Sequence, residues 1–170
     1  MSTATPGQTM MWGLLLHLGY NMWSDRKAPE RDLTHFDSRD YLRFDEPLWG
    51  DLLEAAAAAG LNTVVIDLGE GLRYDSHPEL AVQGSWPADK LRAALQHMRS
   101  LGLEPLPKLN FSTAHDAWLG PYARAVSTEA YYAVCRDLIA EVIDVFGGPR
   151  LFHLGMDEET AGHQRLYAYA

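Results

Sequence analysis

Apolar and polar positions fall into blocks along the chain, and the blocks follow two different periods. Leu14-Leu15-Leu16-His17-Leu18-Gly19-Tyr20 is a nearly continuous apolar run of strand length. Such runs suit strands buried on both faces, as in parallel sheets. After a polar segment from Ser24 to Asp45, Leu48, Trp49, Leu52, Leu53 and Ala56 recur at helical spacing. Asp45-Glu46-Pro47 opens that helix with a capping aspartate and a first-turn proline, and Gly60 closes it. The β-branched centre of Leu61–Gly69 predicts a second strand. Pro87 opens a second helix, with Leu91, Ala94, Leu95, Met98 and Leu101 on its buried face and Gly102 at its end. Leu103–Phe111 is a third strand, whose two prolines argue for a start after Pro105. A third helix starts near Ser127-Thr128-Glu129, with Tyr131, Val134, Cys135, Leu138, Ile139, Val142 and Phe146 as its stripe. Leu151-Phe152-His153-Leu154 alternates as a fourth strand would, and Thr160 to Ala170 resembles the start of a fourth helix.

The recurrence sets the architecture. Helix-ending glycines at 60, 102 and 147 lie 42 and 45 residues apart. Strand and helix alternating at that period predict parallel βαβ units with right-handed crossovers. No glycine-rich dinucleotide fingerprint follows the first strand. The expected fold is therefore α/β of the (β/α)8 TIM-barrel type, with this chain supplying the first four βα units. Residues 1–170 would form one barrel-type domain, incomplete at its C-terminus, since a full barrel takes about 250 residues. Exposed barrel edges would favour a second copy as partner.

Composition adds limits. The 170 residues are 47% hydrophobic and carry 14 Lys+Arg against 23 Asp+Glu, a formal charge of −9. That balance offers no basic footprint for nucleic acid. The single cysteine, Cys135, rules out an intrachain disulfide and falls on a helix stripe. The apolar run Met10–Leu18 contains His17 and is too short to span a bilayer. Met1–Thr9 lacks a basic leader region, so the expectation is a cytoplasmic protein with no membrane partner.

The long loops follow strands and the short ones follow helices. Function in α/β folds gathers at strand C-termini. The residues expected on that rim are Asn21, Trp23, Asp67, Glu70, Asn110, His115, Trp118, His153, Asp157 and Glu158. Trp23, Trp86 and Trp118 suit either sugar stacking or hydrophobic plugging. His17 suits the core. Glu159 suits the first turn of a helix.

His153-Leu154-Gly155-Met156-Asp157-Glu158 resembles the His-x-Gly-Gly-Asp-Glu motif of glycoside hydrolase family 20, the β-N-acetylhexosaminidases, which also ends a fourth barrel strand. Pro107-Lys108-Leu109-Asn110 followed by His115 is a looser echo of that family's third-strand exit. Met156 stands where the motif has its second Gly. The resemblance implies that Glu158 is the general acid/base and that Asp157 orients the 2-acetamido group of the substrate. That group acts as nucleophile in a retaining, substrate-assisted reaction. No metal or other cofactor is implied. His153 would hold Asp157 or a sugar hydroxyl, and Asp67, Glu70, Asn110, His115, Asn21, Trp23 and Trp118 would line the substrate site. Both carboxylates can serve one pocket only if the strand breaks at Asp157, because neighbours on a strand face opposite ways. Two alternatives stay open. One is a barrel or half-barrel that binds carbohydrate or a protein without catalysis. The other is a metal-dependent hydrolase using His17, His153, Asp157 and His163.

Overall fold

The computed structural model describes residues 10–24 and 35–158. The expected fourth helix from Thr160, together with Glu159 and His163, lies outside the described residues, as do Met1–Thr9. Three strands form one parallel sheet in the order β1-β2-β3: β1 Gly13–His17, β2 Thr63–Asp67 and β3 Glu104–Lys108. Three α-helices follow the predicted blocks: α1 Glu46–Ala58, α2 Ala88–Ser100 and α3 Glu129–Phe146.

The helix limits come from local chemistry. The Asp45 side chain accepts the Leu48 N–H at 2.9 Å, and Thr128 accepts that of Tyr131 at 3.2 Å. Gly147, at φ 72°, ends α3 in the left-handed conformation that lets its N–H return to the Asp144 carbonyl. Leu91, Leu95 and Met98 of α2, fully buried, and Leu138 and Val142 of α3 form the helix side of the core. Val64 and Ile66 of β2 meet them, also fully buried. Thr63, Val65 and Asp67 alternate to the other face of the sheet.

The expectation of four barrel units is corrected here. The described residues contain three strands. The stretch 151–155 runs along β3 but makes only one isolated parallel bridge, Lys108 with His153. Its backbone bonds are His153 N–H to Pro107 O and Leu109 N–H to His153 O, followed by Phe111 and Ser112 N–H to Leu154 and Gly155 carbonyls. Gly155, at φ 57°, turns the chain out of extended geometry before a strand can develop. The fold is therefore α/β with a small three-stranded parallel sheet.

The prolines of β3 sit inside the strand rather than before it. Glu104 N–H bonds Asn62 O and Leu68 N–H bonds Lys108 O, so the even-numbered residues of β3 face β2. Pro105 and Pro107 fall on the other edge, where a missing N–H breaks no rung of the ladder to β2. Among the described residues no helix is long and apolar enough to cross a membrane.

Candidate functional site at the strand exits

Register brings one residue from each chain segment into a row: His17, Asp67, Lys108 and His153. Asp67 is the centre of that row and has no solvent exposure. Its Oδ2 accepts from Lys108 Nζ at 2.9 Å and from Asn110 Nδ2 at 2.6 Å. His17 Nδ1 stands 3.3 Å away. Burial pushes the Asp67 carboxyl up, but His17 and Lys108 together outweigh it and hold it below the ordinary aspartate range. Oδ1 of Asp67 and Oδ1 of Asn110 are buried without hydrogen-bond partners.

Above this row the exits of β1 and β2 press together backbone to backbone. A Cβ at Gly19 would lie 2.4 Å from the Leu68 carbonyl, and one at Gly71 would lie 2.7 Å from the Gly19 nitrogen. This close approach puts Glu70 against the β1 exit, where its Oε1 accepts the N–H groups of Tyr20 at 2.7 Å and Asn21 at 2.9 Å. Glu70 is buried at 3% exposure, and its Oε2 has no hydrogen-bond partner. Burial raises its carboxyl above the usual glutamate value, against the opposing pull of those two N–H groups. Asn21 is spent on structure: its Nδ2 donates to Arg39 O at 2.7 Å, and its Oδ1 accepts Arg39 N–H at 3.0 Å and Arg43 Nη2 at 3.3 Å. A cavity of about 330 Å³ opens beside these groups, with Asn21, Arg39, Glu70 and Trp118 in its walls.

The carboxylate doublet lies on the same rim, nearer the β3 exit. Glu158 has φ 56°, and together with Gly155 it folds residues 155–158 into a turn. No strand forms at this stretch, so the alternation that would send Asp157 and Glu158 to opposite faces does not apply. Both carboxylates reach one imidazole: His115 Nδ1 is 3.4 Å from Asp157 Oδ2, and His115 Nε2 is 3.3 Å from Glu158 Oε2. The His115 side chain is 6% exposed, against 52% for Asp157 and 70% for Glu158. The Trp23 ring meets His115 edge-on at 4.6 Å between centroids, and Trp23 itself is partly exposed.

Nine of the ten expected site residues thus fall into three neighbouring groups, and His153 stands outside them. Asp157, Glu158, His115 and Trp23 form an open cluster. Asp67 and Asn110 form a buried network with Lys108. Asn21, Glu70 and Trp118 wall the cavity. Trp118 is plugged into the core, with its Nε1 donating to Asn110 O at 2.9 Å. Trp86 packs in the core against Trp49 and Phe44. His153 is exposed and accepts the Gly155 N–H at 3.0 Å, so His115, not His153, holds Asp157. His17 is one-third exposed and stands beside Asp67 rather than in the core. Arg39, Arg43 and Lys108 are the groups that sequence reasoning missed. Lys108 had a signal in its strand-exit position, whereas Arg39 and Arg43 lie in a segment without periodicity. Among the described residues, no three His, Cys, Asp or Glu side chains are placed to hold a metal ion.

No protein-family model matches the chain, and no curated protein matches it in sequence. The likeness to glycoside hydrolase family 20 rests on the Asp157-Glu158 stretch and on the third-strand echo.

Proposed function

We propose that the chain acts as a glycoside hydrolase on a terminal N-acetylhexosamine or a related glycoside. The observation that carries the reading is the convergence of Asp157 and Glu158 on His115 at the strand-exit rim. Glu158 protonates the glycosidic oxygen as the bond to C1 breaks. The 2-acetamido oxygen, oriented by Asp157 through the amide N–H, attacks C1 from the opposite face. Water then opens the bicyclic intermediate, and Glu158 takes back the proton, so configuration is retained. His115 fixes the relative placement of the two carboxylates, and the exposed Trp23 ring offers an apolar face for the sugar. Asp67, Lys108 and Asn110 hold the strand ends beneath them.

Hydrolysis of an aryl β-N-acetylglucosaminide by the purified chain tests this. Replacing Glu158→Gln should lower kcat by about 10²–10⁴-fold, the usual scale of a lost general acid, while sugar binding persists. Binding without turnover by the parent chain would favour the non-catalytic carbohydrate-binding reading. Turnover unaffected by Glu158→Gln would refute the assignment.

A further inference from the structure

The two edges of the sheet are guarded differently. On the β3 side, Pro105 and Pro107 present no N–H outward, and the 151–155 stretch covers the edge through His153 N–H to Pro107 O. The β1 side has neither device. Thr63 N–H bonds Trp12 O and Leu18 N–H bonds Asp67 O, so the even-numbered residues of β1 face β2. The N–H and C=O groups of Gly13, Leu15 and His17 therefore point outward, and among the described residues no strand pairs with them. β1 contains no Lys, Arg, Asp, Glu or Pro, and its five residues pair with β2 in unbroken register, so no bulge turns the edge away. Leu15 is 41% exposed. An open apolar edge of this kind is a template for another strand.

The helix beside that edge has an uncovered side of its own. Trp49, Leu53 and Ala56 of α1 are buried in the core. Leu48, Leu52 and Ala55 recur at i, i+4 and i+7 as a second apolar row, and all three are exposed, Leu48 at 54% and Leu52 at 38%. A groove joins this row to the edge, with Leu16 and His17 of β1 on one wall and Leu48 and Leu52 on the other. The Arg43 and Asp45 side chains that also line it are opposite in sign, so a chain of formal charge −9 carries no acidic surplus here.

A second copy of the chain meets both features at once. A two-fold axis through Leu15, perpendicular to the sheet, sets β1 antiparallel to the β1 of the copy, with Leu15 opposite Leu15 and Gly13 opposite His17. The outward N–H and C=O groups at these alternate positions then face one another as an antiparallel ladder requires. The same axis keeps the helices of both copies on one face. α1 connects β1 to β2 and lies over that pair, so α1 and its copy stand two strand spacings apart, about 9–10 Å, the distance at which helices pack. A lone extended peptide would fill the edge but leave the α1 row uncovered.

We propose that the β1 edge and the outer row of α1 form the interface of a two-fold homodimer, in which the two three-stranded sheets become one. The surface lies at the opposite edge of the sheet from the stretch that carries Asp157 and Glu158, and it rests on none of the proposed glycosidase chemistry.

Sedimentation equilibrium and light scattering on the full chain test the proposal. A species of twice the chain mass is expected, with a dimer Kd below about 10 μM. Leu15→Lys places like charges opposite each other across the strand pair, and Leu52→Glu does so across the helix pair. Both side chains are exposed in a single copy, so circular dichroism should stay unchanged while each variant raises the dimer Kd at least about tenfold. Ile143→Lys, 42% exposed on α3, should leave the dimer as it is. Residues directly opposed in an antiparallel pair stand about 5.5 Å apart at Cα, within disulfide reach. Leu15→Cys should therefore crosslink to its own copy under mild oxidation, and Ile143→Cys should not. A monomer up to about 100 μM, or a dimer that both charge variants leave intact, would overturn the proposal. So would Leu15→Cys crosslinking no faster than Ile143→Cys, or assembly that continues past the dimer.

Discussion

Replacing Asp67→Asn removes the only carboxylate paired with the buried Lys108 ammonium among the described residues. Asp67 has no exposure and the Lys108 side chain 9%, so solvent screens the pair weakly. Breaking a buried pair by deleting one partner costs about 3–5 kcal/mol, because the surviving charge stays buried. The small opening at Lys108 lets its head group recover some hydration, which places the expected loss near the lower end, about 3 kcal/mol. That is a large share of the about 5–15 kcal/mol that holds a domain folded. At about 2–4 °C per kcal/mol for a chain of this size, Tm should fall by about 6–12 °C. Urea unfolding of Asp67→Asn, Lys108→Met and the double variant measures it. The double variant should be more stable than the summed losses imply, with a coupling of about 1–3 kcal/mol, since neither charge is then left alone. Acid titration gives a second readout. Asp67 ionises in the fold below its unfolded value of about 3.9, so its contribution is complete above about pH 4 and disappears as pH falls through the folded value. The wild-type chain should therefore lose more stability between about pH 4 and pH 2 than Asp67→Asn does. A loss under about 1 kcal/mol for Asp67→Asn, or strict additivity in the double variant, would refute the reasoning.

Gly155→Ala should cost about 2–4 kcal/mol and loosen the 155–158 turn, because its φ is 57° and a Cβ would sit 2.6 Å from both the Leu109 carbonyl and Asn110 Oδ1. Chemical denaturation should show the loss, and His115 imidazole resonances should shift as the carboxylates move away; an unchanged midpoint would count against the turn. Burial pushes the Cys135 thiol up to about 11, so the native chain should react with a thiol reagent at pH 8 far more slowly than the urea-unfolded chain. Equal rates in the two states would mean that α3 does not shelter it.

Local rules were enough for the three helices and the three strands. Caps, breakers and a 3.6-residue stripe act over a few residues, so Asp45, Thr128 and the glycines after each helix could be placed without knowing the fold. The parallel order follows from the alternation of strand and helix, and the strand-exit rim follows from the loop lengths. Sequence alone also singled out Asp157, Glu158 and His115 for one rim. What it could not supply was pairing between distant segments. Alternation in residues 151–154 has the strand period, but whether a strand forms depends on partners on both sides and on the turn at Gly155, and only one bridge survives. The same limit explains why His115 rather than His153 meets the doublet, and why Pro105 and Pro107 are tolerated: which edge each residue faces is set by register. Arg39 shows it most plainly. No periodicity marks its segment, and its importance arises only once Asn21, from a strand exit eighteen positions away in the chain, clamps it beside the buried Glu70. Burial and charge pairing are properties of neighbours in space, which a local pattern along the chain does not encode.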